Sequence, residues 1–222
     1  MSGVRDALCR SDAFPFGKCK IKICGLKRPE DIRAVNEAKP DYCGFVIEVP
    51  KSSRCVSRDQ VRELTAMLDE KILPVGVFVN APEVLVAQLL NEGTIAMAQL
   101  HGQEDDTYIR RLRELTEKPL IQAFSIRSLE DVERAVNSPA DYILLDQGGG
   151  GTGKTFDWSL VSAMKRPFFL AGGLSEENLE AAIRQVHPWA VDLSSSLETD
   201  GKKDAGKIRR VVEIIRKLQG DK

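Results

Sequence analysis

The sequence predicts an α/β fold, a single (β/α)8 barrel. Three observations predict it. From Lys20 onward, short β-like apolar runs alternate with segments of helical spacing, eight times over. Each repeat occupies roughly 20–30 residues, enough for a strand, a right-handed crossover helix and two short loops. No low-complexity linker interrupts the series, and 222 residues suit one closed barrel, for which about 200–250 residues is ordinary. An open doubly wound sheet would have fewer strands and a switch point.

The elements follow in order. Lys20 to Gly25 reads as the first strand, and Pro29 to Ala38 as its helix, with Pro29 near the first helical position. Asp41 to Ile47 is the second strand. Ser57 caps a helix to Asp69, whose apolar face is Val61, Leu64, Met67 and Leu68. Leu73 to Val79 pairs with Pro82 to Asn91, Ala96 to Leu100 with Gln103 to Thr116, and Leu120 to Phe124 with Ser128 to Asn137. Tyr142 to Asp146 pairs with Asp157 to Met164, Pro167 to Ala171 with Ser175 to Gln185, and Ala190 to Leu193 with Ala205 to Leu218. Residues 1–18 have no period, and Pro15 and Gly17 break any helix there, so they read as a loosely ordered extension before a barrel domain at 19–222.

Composition narrows the function classes. The 32 basic and 33 acidic residues nearly cancel, and no basic block offers a nucleic-acid footprint. No apolar run approaches the roughly 18 residues of a membrane helix, and the N-terminus lacks the apolar core of a secretory signal. Five cysteines at 9, 19, 24, 43 and 55 are odd in number and confined to the first quarter, which points to reduced thiols in a cytoplasmic protein. Cys19 and Cys24 have no histidine nearby to complete a zinc site. A monomer and a homodimer fit the sequence equally.

A barrel carries its chemistry at the C-terminal ends of its strands. Those positions hold Cys24-Gly25, Lys51 to Arg54, Asn80, His101-Gly102, Asp146 with the following glycines, Gly172-Gly173, and Ser194-Ser195-Ser196. The glycines and serines after the seventh and eighth strands suit a phosphate, because bare amides and hydroxyls can surround its oxygens. Gly151 and Gly153, after the sixth strand, would complete that cup. Cys24 and Asp146 are the two candidate proton-transfer groups, although a thiol there also reads as a small buried apolar residue and the carboxylate as a loop cap. His101 is either a third polar group or a structural rim residue. Arg54 offers a planar fork for a substrate carboxylate, or is an ordinary surface arginine.

Gly148 to Thr155 also matches the phosphate loop of nucleotide hydrolases, G-x-x-x-x-G-K-[ST]. In that loop the helix begins directly at Lys-Thr. Here it begins at Asp157, the expected N-cap, and no second acidic strand end stands ready for magnesium. The match is therefore read as coincidence.

Seven motifs together resemble the phosphoribosylanthranilate isomerase family of tryptophan biosynthesis, over about Lys20 to Leu218. They are Lys22-Ile-Cys-Gly-Leu26, Val75 to Ala81, Gln99-Leu-His-Gly102, Leu144-Leu-Asp146, Gly150 to Trp158, Leu170 to Leu174 and Val191 to Ser195. The resemblance implies an Amadori rearrangement of a small phosphorylated substrate, with no metal and no organic cofactor. It implies Cys24 as the base at C2′, Asp146 as the acid at the furanose oxygen, and Arg54 on the anthranilate carboxylate. The loops with Gly151, Gly153, Gly172, Gly173, Ser194 and Ser195 would hold the phosphate. Cationic neighbours are expected to lower the Cys24 thiol. The chain departs from the family pattern at Ser196, commonly glycine, and at Ser53, commonly proline. A metabolite-binding barrel without turnover is the alternative from another class.

Overall fold

The computed structural model describes residues 17–147, 156–162 and 164–220. The extension at 1–16, the glycine run with Gly151 and Gly153, and Lys154 lie outside the described residues.

Eight parallel strands close into a barrel. They are β1 (Lys20–Cys24), β2 (Tyr42–Ile47), β3 (Leu73–Phe78), β4 (Met97–Leu100), β5 (Leu120–Ser125), β6 (Tyr142–Asp146), β7 (Phe168–Leu170) and β8 (Ala190–Leu193). Neighbours in sequence are neighbours in the sheet, and β1 closes the ring by pairing with both β2 and β8. The strand period of two sorts each strand into two faces. Ile21, Ile23, Phe45, Phe78, Ile143 and Leu145 face the helices in one large apolar cluster. Tyr42, Val75, Met97, Ile121, Leu144 and Phe169 form a second cluster that fills the barrel. Phe169 meets Tyr42 and Tyr142 edge to face, with ring centroids 5.5 and 6.0 Å apart. This plug occupies the lower barrel, where Lys20 lies over the Trp189 ring and 3.5 Å from the Tyr42 hydroxyl, and the cavity opens above it.

Seven α-helices pack outside among the described residues: α1 (Pro29–Ala38), α2 (Arg58–Ala66), α3 (Glu83–Asn91), α4 (Asp106–Leu115), α5 (Leu129–Val136), α6 (Leu179–Val186) and α7 (Ala205–Leu218). Their starts follow capping chemistry. Ser57 and Ser128 form capping boxes with Gln60 and Asp131, and Asp105 and Asp204 accept from the amides of Tyr108 and Lys207.

Two elements differ from expectation. Helix α2 ends at Ala66, and Met67 is 44% exposed rather than part of the apolar face, because its amide turns back to Leu64. After β6 there is a 3-10 turn at Trp158–Val161 instead of a helix to Met164, although Asp157 is its N-cap as expected, accepting from Ser159. Two short additions were not foreseen: Cys55–Val56 pairs with the end of β2, and a hairpin of Glu198–Thr199 with Lys202–Lys203 follows β8. No helix among the described residues is long and apolar enough to cross a membrane. The described cysteines are free thiols, and no cluster of metal-binding side chains occurs among the described residues.

Arg166 ties the β6–β7 segment to the end of α5. Its guanidinium donates to the carbonyls of Ala135, Val136, Ser138 and Ala140, acting as a cationic cap on the helix C-terminus. Arg166→Met leaves those carbonyls without the donor. It is expected to lower the unfolding free energy by about 2 kcal/mol, read as a lower urea midpoint at unchanged m-value.

Candidate active site

A cavity of about 440 Å³ opens at the C-terminal ends of the strands, lined by Cys24, Arg54, His101, Asp146, Gly172, Gly173, Ser194 and Ser195. Every described residue given a catalytic or binding role from the sequence therefore lines one cavity, whereas Gly25, Asn80 and Gly102 do not line it. Cys24 ends β1 and Asp146 ends β6, with β7 and β8 between them around the ring.

Cys24 is buried, and its surroundings pull its thiol in two directions. Burial pushes its pKa up and Asp192 pushes it the same way, while Lys22 and Lys203 pull it down. The upward push prevails. The cationic neighbours expected from the sequence exist, but their lowering effect is smaller than the cost of burying a thiolate. Lys22 is 0% exposed, with its ammonium 2.8 Å from Asp192 Oδ2. Burial pushes the Lys22 pKa down, but Asp192 and Cys24 together outweigh it and hold the pKa above the ordinary lysine value.

Glycine makes this crowding possible. A Cβ on Gly44, opposite Cys24 on β2, would stand 2.6 Å from Cys24 Sγ and 3.0 Å from Lys22 Nζ. Gly25 has φ +83° and a Cβ there would strike Arg54 Cδ at 2.3 Å, so the arginine stem lies directly across the end of β1.

Arg54 reaches the cavity, but its fork is already engaged. Nε and Nη2 donate to the two carboxylate oxygens of Glu198 at 2.7 and 2.9 Å. The expected bidentate grip on a substrate carboxylate is therefore not available along that edge, and the Nη1 side is what remains. Glu198 also accepts from Lys203 at 2.8 Å. Although burial opposes it, Arg54 and Lys203 hold the Glu198 carboxyl below the ordinary range. The turn carrying Arg54 is tied down by Lys27, which donates to the Ser53 carbonyl at 2.8 Å.

Across the mouth, His101 Nε2 lies 3.7 Å from Asp146 Oδ2. The amide nitrogen of Gln99 is 2.6 Å from His101 Nδ1. With Gln99 donating there, Nδ1 accepts and the ring proton sits on Nε2, facing Asp146. His101 is thus a polar member of the site. Glu104 steadies the neighbouring loops by accepting from the amides of Asn80 and Gly102 at 2.6 and 2.7 Å.

The glycines and serines divide their work. Gly172 and Gly173 both have positive φ, +84° and +64°. A Cβ on Gly172 would lie 2.4 Å from Asp146 Oδ1 and 2.7 Å from the Gln147 amide. Ser194 Oγ donates to the Cys24 carbonyl at 3.0 Å, so this hydroxyl joins the ends of β1 and β8 rather than waiting for a phosphate. Ser195 is exposed at the start of a short 3-10 turn with Ser196 and Leu197. Ser196, which replaces the glycine of the family pattern, lines the cavity with a buried Oγ that has no partner.

Sequence reasoning gave no role to Lys22, Gln99 and Asp192, which it met only inside motifs, and passed over Gly44, Glu198 and Lys203. For Lys22 and Asp192 a signal existed: each is a charge inside an apolar strand, alternating with residues of the outer face. Nothing local marked Glu198 or Gly44. Gly172→Ala is expected to cost about 1–3 kcal/mol through the positive φ and to push Asp146 out of its position. Denaturant unfolding reads the first effect and a crystal structure of the variant the second; an unmoved Asp146 would contradict the close packing described.

Comparison with known proteins gives one answer. Residues 21–214 match the family described as N-(5'phosphoribosyl)anthranilate (PRA) isomerase. The N-(5'-phosphoribosyl)anthranilate isomerase of Endomicrobium trichonymphae is 44% identical over 203 residues, covering 90% of this chain and 99% of the relative. The crystal structure of phosphoribosyl anthranilate isomerase from Thermotoga maritima superposes with a TM-score of 0.82 at 36% identity, covering 90% and 100%. A structure of such an isomerase in complex with reduced 1-(o-carboxyphenylamino)-1-deoxyribulose 5-phosphate gives 0.79 at 34% identity, again covering 90% and 100%. A barrel whose thiol, carboxyl and glycine–serine rim meet in one cavity, and whose sequence matches over nine-tenths of its length, belongs to the N-(5'-phosphoribosyl)anthranilate isomerase family.

Proposed function

We propose that this chain converts N-(5'-phosphoribosyl)anthranilate to 1-(2-carboxyphenylamino)-1-deoxyribulose 5-phosphate in tryptophan biosynthesis, by general acid–base catalysis. The observation that carries the reading is a single cavity with a thiol at the end of β1, a carboxyl at the end of β6, and glycine and serine at the ends of β7 and β8.

Asp146 donates its proton to the furanose ring oxygen as the C1′–O bond breaks. The anilino nitrogen supplies the electron pair, giving an open-chain iminium. Cys24, as thiolate, takes the C2′ proton; the C2′–H electrons form the C1′=C2′ bond and neutralise the nitrogen. The resulting enol becomes the ketone as C1′ gains a proton and the C2′ hydroxyl releases one, and proton exchange with water returns Cys24 to thiolate and Asp146 to acid. His101, with its Nε2 proton toward Asp146, steadies the carboxylate left after donation. Arg54 meets the anthranilate carboxylate through its Nη1 side, held in aim by Glu198. Amides near Gly172 and Gly173, joined by the exposed Ser195, take the phosphate; Gly151 and Gly153 are assigned to the same cup by the resemblance alone.

The test mixes the purified protein with phosphoribosylanthranilate and follows the loss of its fluorescence. Loss at only the spontaneous rate would favour a barrel that binds a phosphorylated metabolite without turning it over. Cys24→Ser and Asp146→Asn are each expected to lower kcat by about 10²–10⁴-fold at an unchanged thermal midpoint; retained turnover in both refutes the assigned roles. Arg54→Gln is expected to raise KM at least about tenfold while kcat changes less. Lys154→Ala separates this reading from nucleotide hydrolysis: a small loss fits the isomerase, whereas magnesium-dependent ATP hydrolysis abolished by the change would revive the phosphate-loop reading.

A further inference from the structure

We infer that Lys22 is a positioning residue whose buried ammonium, pinned by Asp192, supplies the fixed countercharge that lets Cys24 exist as a thiolate. This rests on the reading of Cys24 as the base. The argument begins with placement. Lys22 and Cys24 are two residues apart on β1 and so point to the same, inward face. The bare Gly44 opposite them lets Nζ and Sγ converge, both within 3.0 Å of the point where its Cβ would stand.

The ammonium is fully enclosed by protein. Its acceptor is Asp192 Oδ2 at 2.8 Å, across the β1–β8 junction where Lys22 and Asp192 are register partners. A lone buried lysine would lose its proton, and a lone buried thiolate would gain one. Brought together beside one carboxylate, ammonium and thiolate each offset the other's desolvation.

The other groups facing Cys24 do not take over this role. Lys203 is held by Glu198 and the Ser194 carbonyl at 2.8 Å each. Arg54 is committed to Glu198. Cys43 on β2 shares the outer face with its register partner Ile23, and burial pushes its own thiol up. Asp192 opposes the thiolate, and its second oxygen, Oδ1, is buried without a partner. Lys22 is the cation whose pull on Cys24 is the largest.

A purely structural Lys22 would matter for folding and not for the thiol. Removing it alone strands Asp192, so the decisive variant removes both charges, Lys22→Met with Asp192→Leu, since a buried ion pair exchanged for apolar groups commonly leaves a protein folded. The readout is the pH midpoint of Cys24 alkylation by iodoacetamide, resolved by peptide mass spectrometry in the absence of substrate. The midpoint is expected to move up by at least about half a unit, roughly a threefold loss of thiolate at fixed lower pH. A folded double variant with the wild-type midpoint overturns the inference.

A second measurement needs no disruptive change. In 15N-lysine-labelled protein, the Lys22 Nζ resonance is expected to shift at the Cys24 alkylation midpoint, and that step is expected to vanish in Cys24→Ser. No step in the unsubstituted protein overturns the inference as well. Neither readout involves turnover, so failure here is distinguishable from failure of the isomerase reading, which the fluorescence assay decides.

Discussion

Closure of the sheet between β1 and β8 is the constraint on which the rest of the site depends. That one junction sets Lys22 against Asp192 and joins Ser194 Oγ to the carbonyl of Cys24. An ion pair this deep is not in itself a source of stability, because desolvating two charges offsets most of their attraction. What it does provide is registry. Sliding β8 by one residue would turn Asp192 toward the helices and leave Lys22 alone inside the barrel.

From this junction the charges spread outward in order. Lys22 and Asp192 stand beneath Cys24; Lys203 and Glu198, on the hairpin that follows β8, stand beside it; Arg54 reaches over Gly25 to join them. The Cys24 side of the cavity therefore holds two groups of ion pairs, Lys22 with Asp192 and Arg54 and Lys203 with Glu198. The Asp146 side is built differently, from a histidine oriented by Gln99 and a carboxyl packed against a glycine that admits no side chain. The two groups proposed to exchange protons with one substrate thus have contrasting electrostatic surroundings, the condition under which one cavity keeps an acid and a base distinct.

Ser196 shows how a departure from the family pattern can be absorbed. The expectation was that a side chain there would alter the phosphate loop. Its Oγ is buried without a partner among the described residues, so the side chain adds no accessible donor to the loop. Ser194, by contrast, was expected to face a ligand and is joined to Cys24. Neighbouring residues of the same type differ because the 3-10 turn beginning at Ser195 rotates each side chain to a different side.

The sequence by itself determined the barrel, its strand order and which strand ends line the cavity, because alternation of period two and of period 3.6 is a local property of the chain. Cys24, Asp146 and His101 were legible for that reason: each ends or follows an apolar run. The missing sixth helix was not legible, since the segment after Asp157 has a proper N-cap but ends as a 3-10 turn. Only the tertiary structure decided which charges meet. Lys22 and Asp192 are separated by 170 residues, and Arg54 and Glu198 by 144. Their pairing follows from strand register and loop packing, which no local pattern encodes. The same holds for Gly44 and Gly172, whose lack of a side chain matters only because another strand brings Cys24 or Asp146 against them.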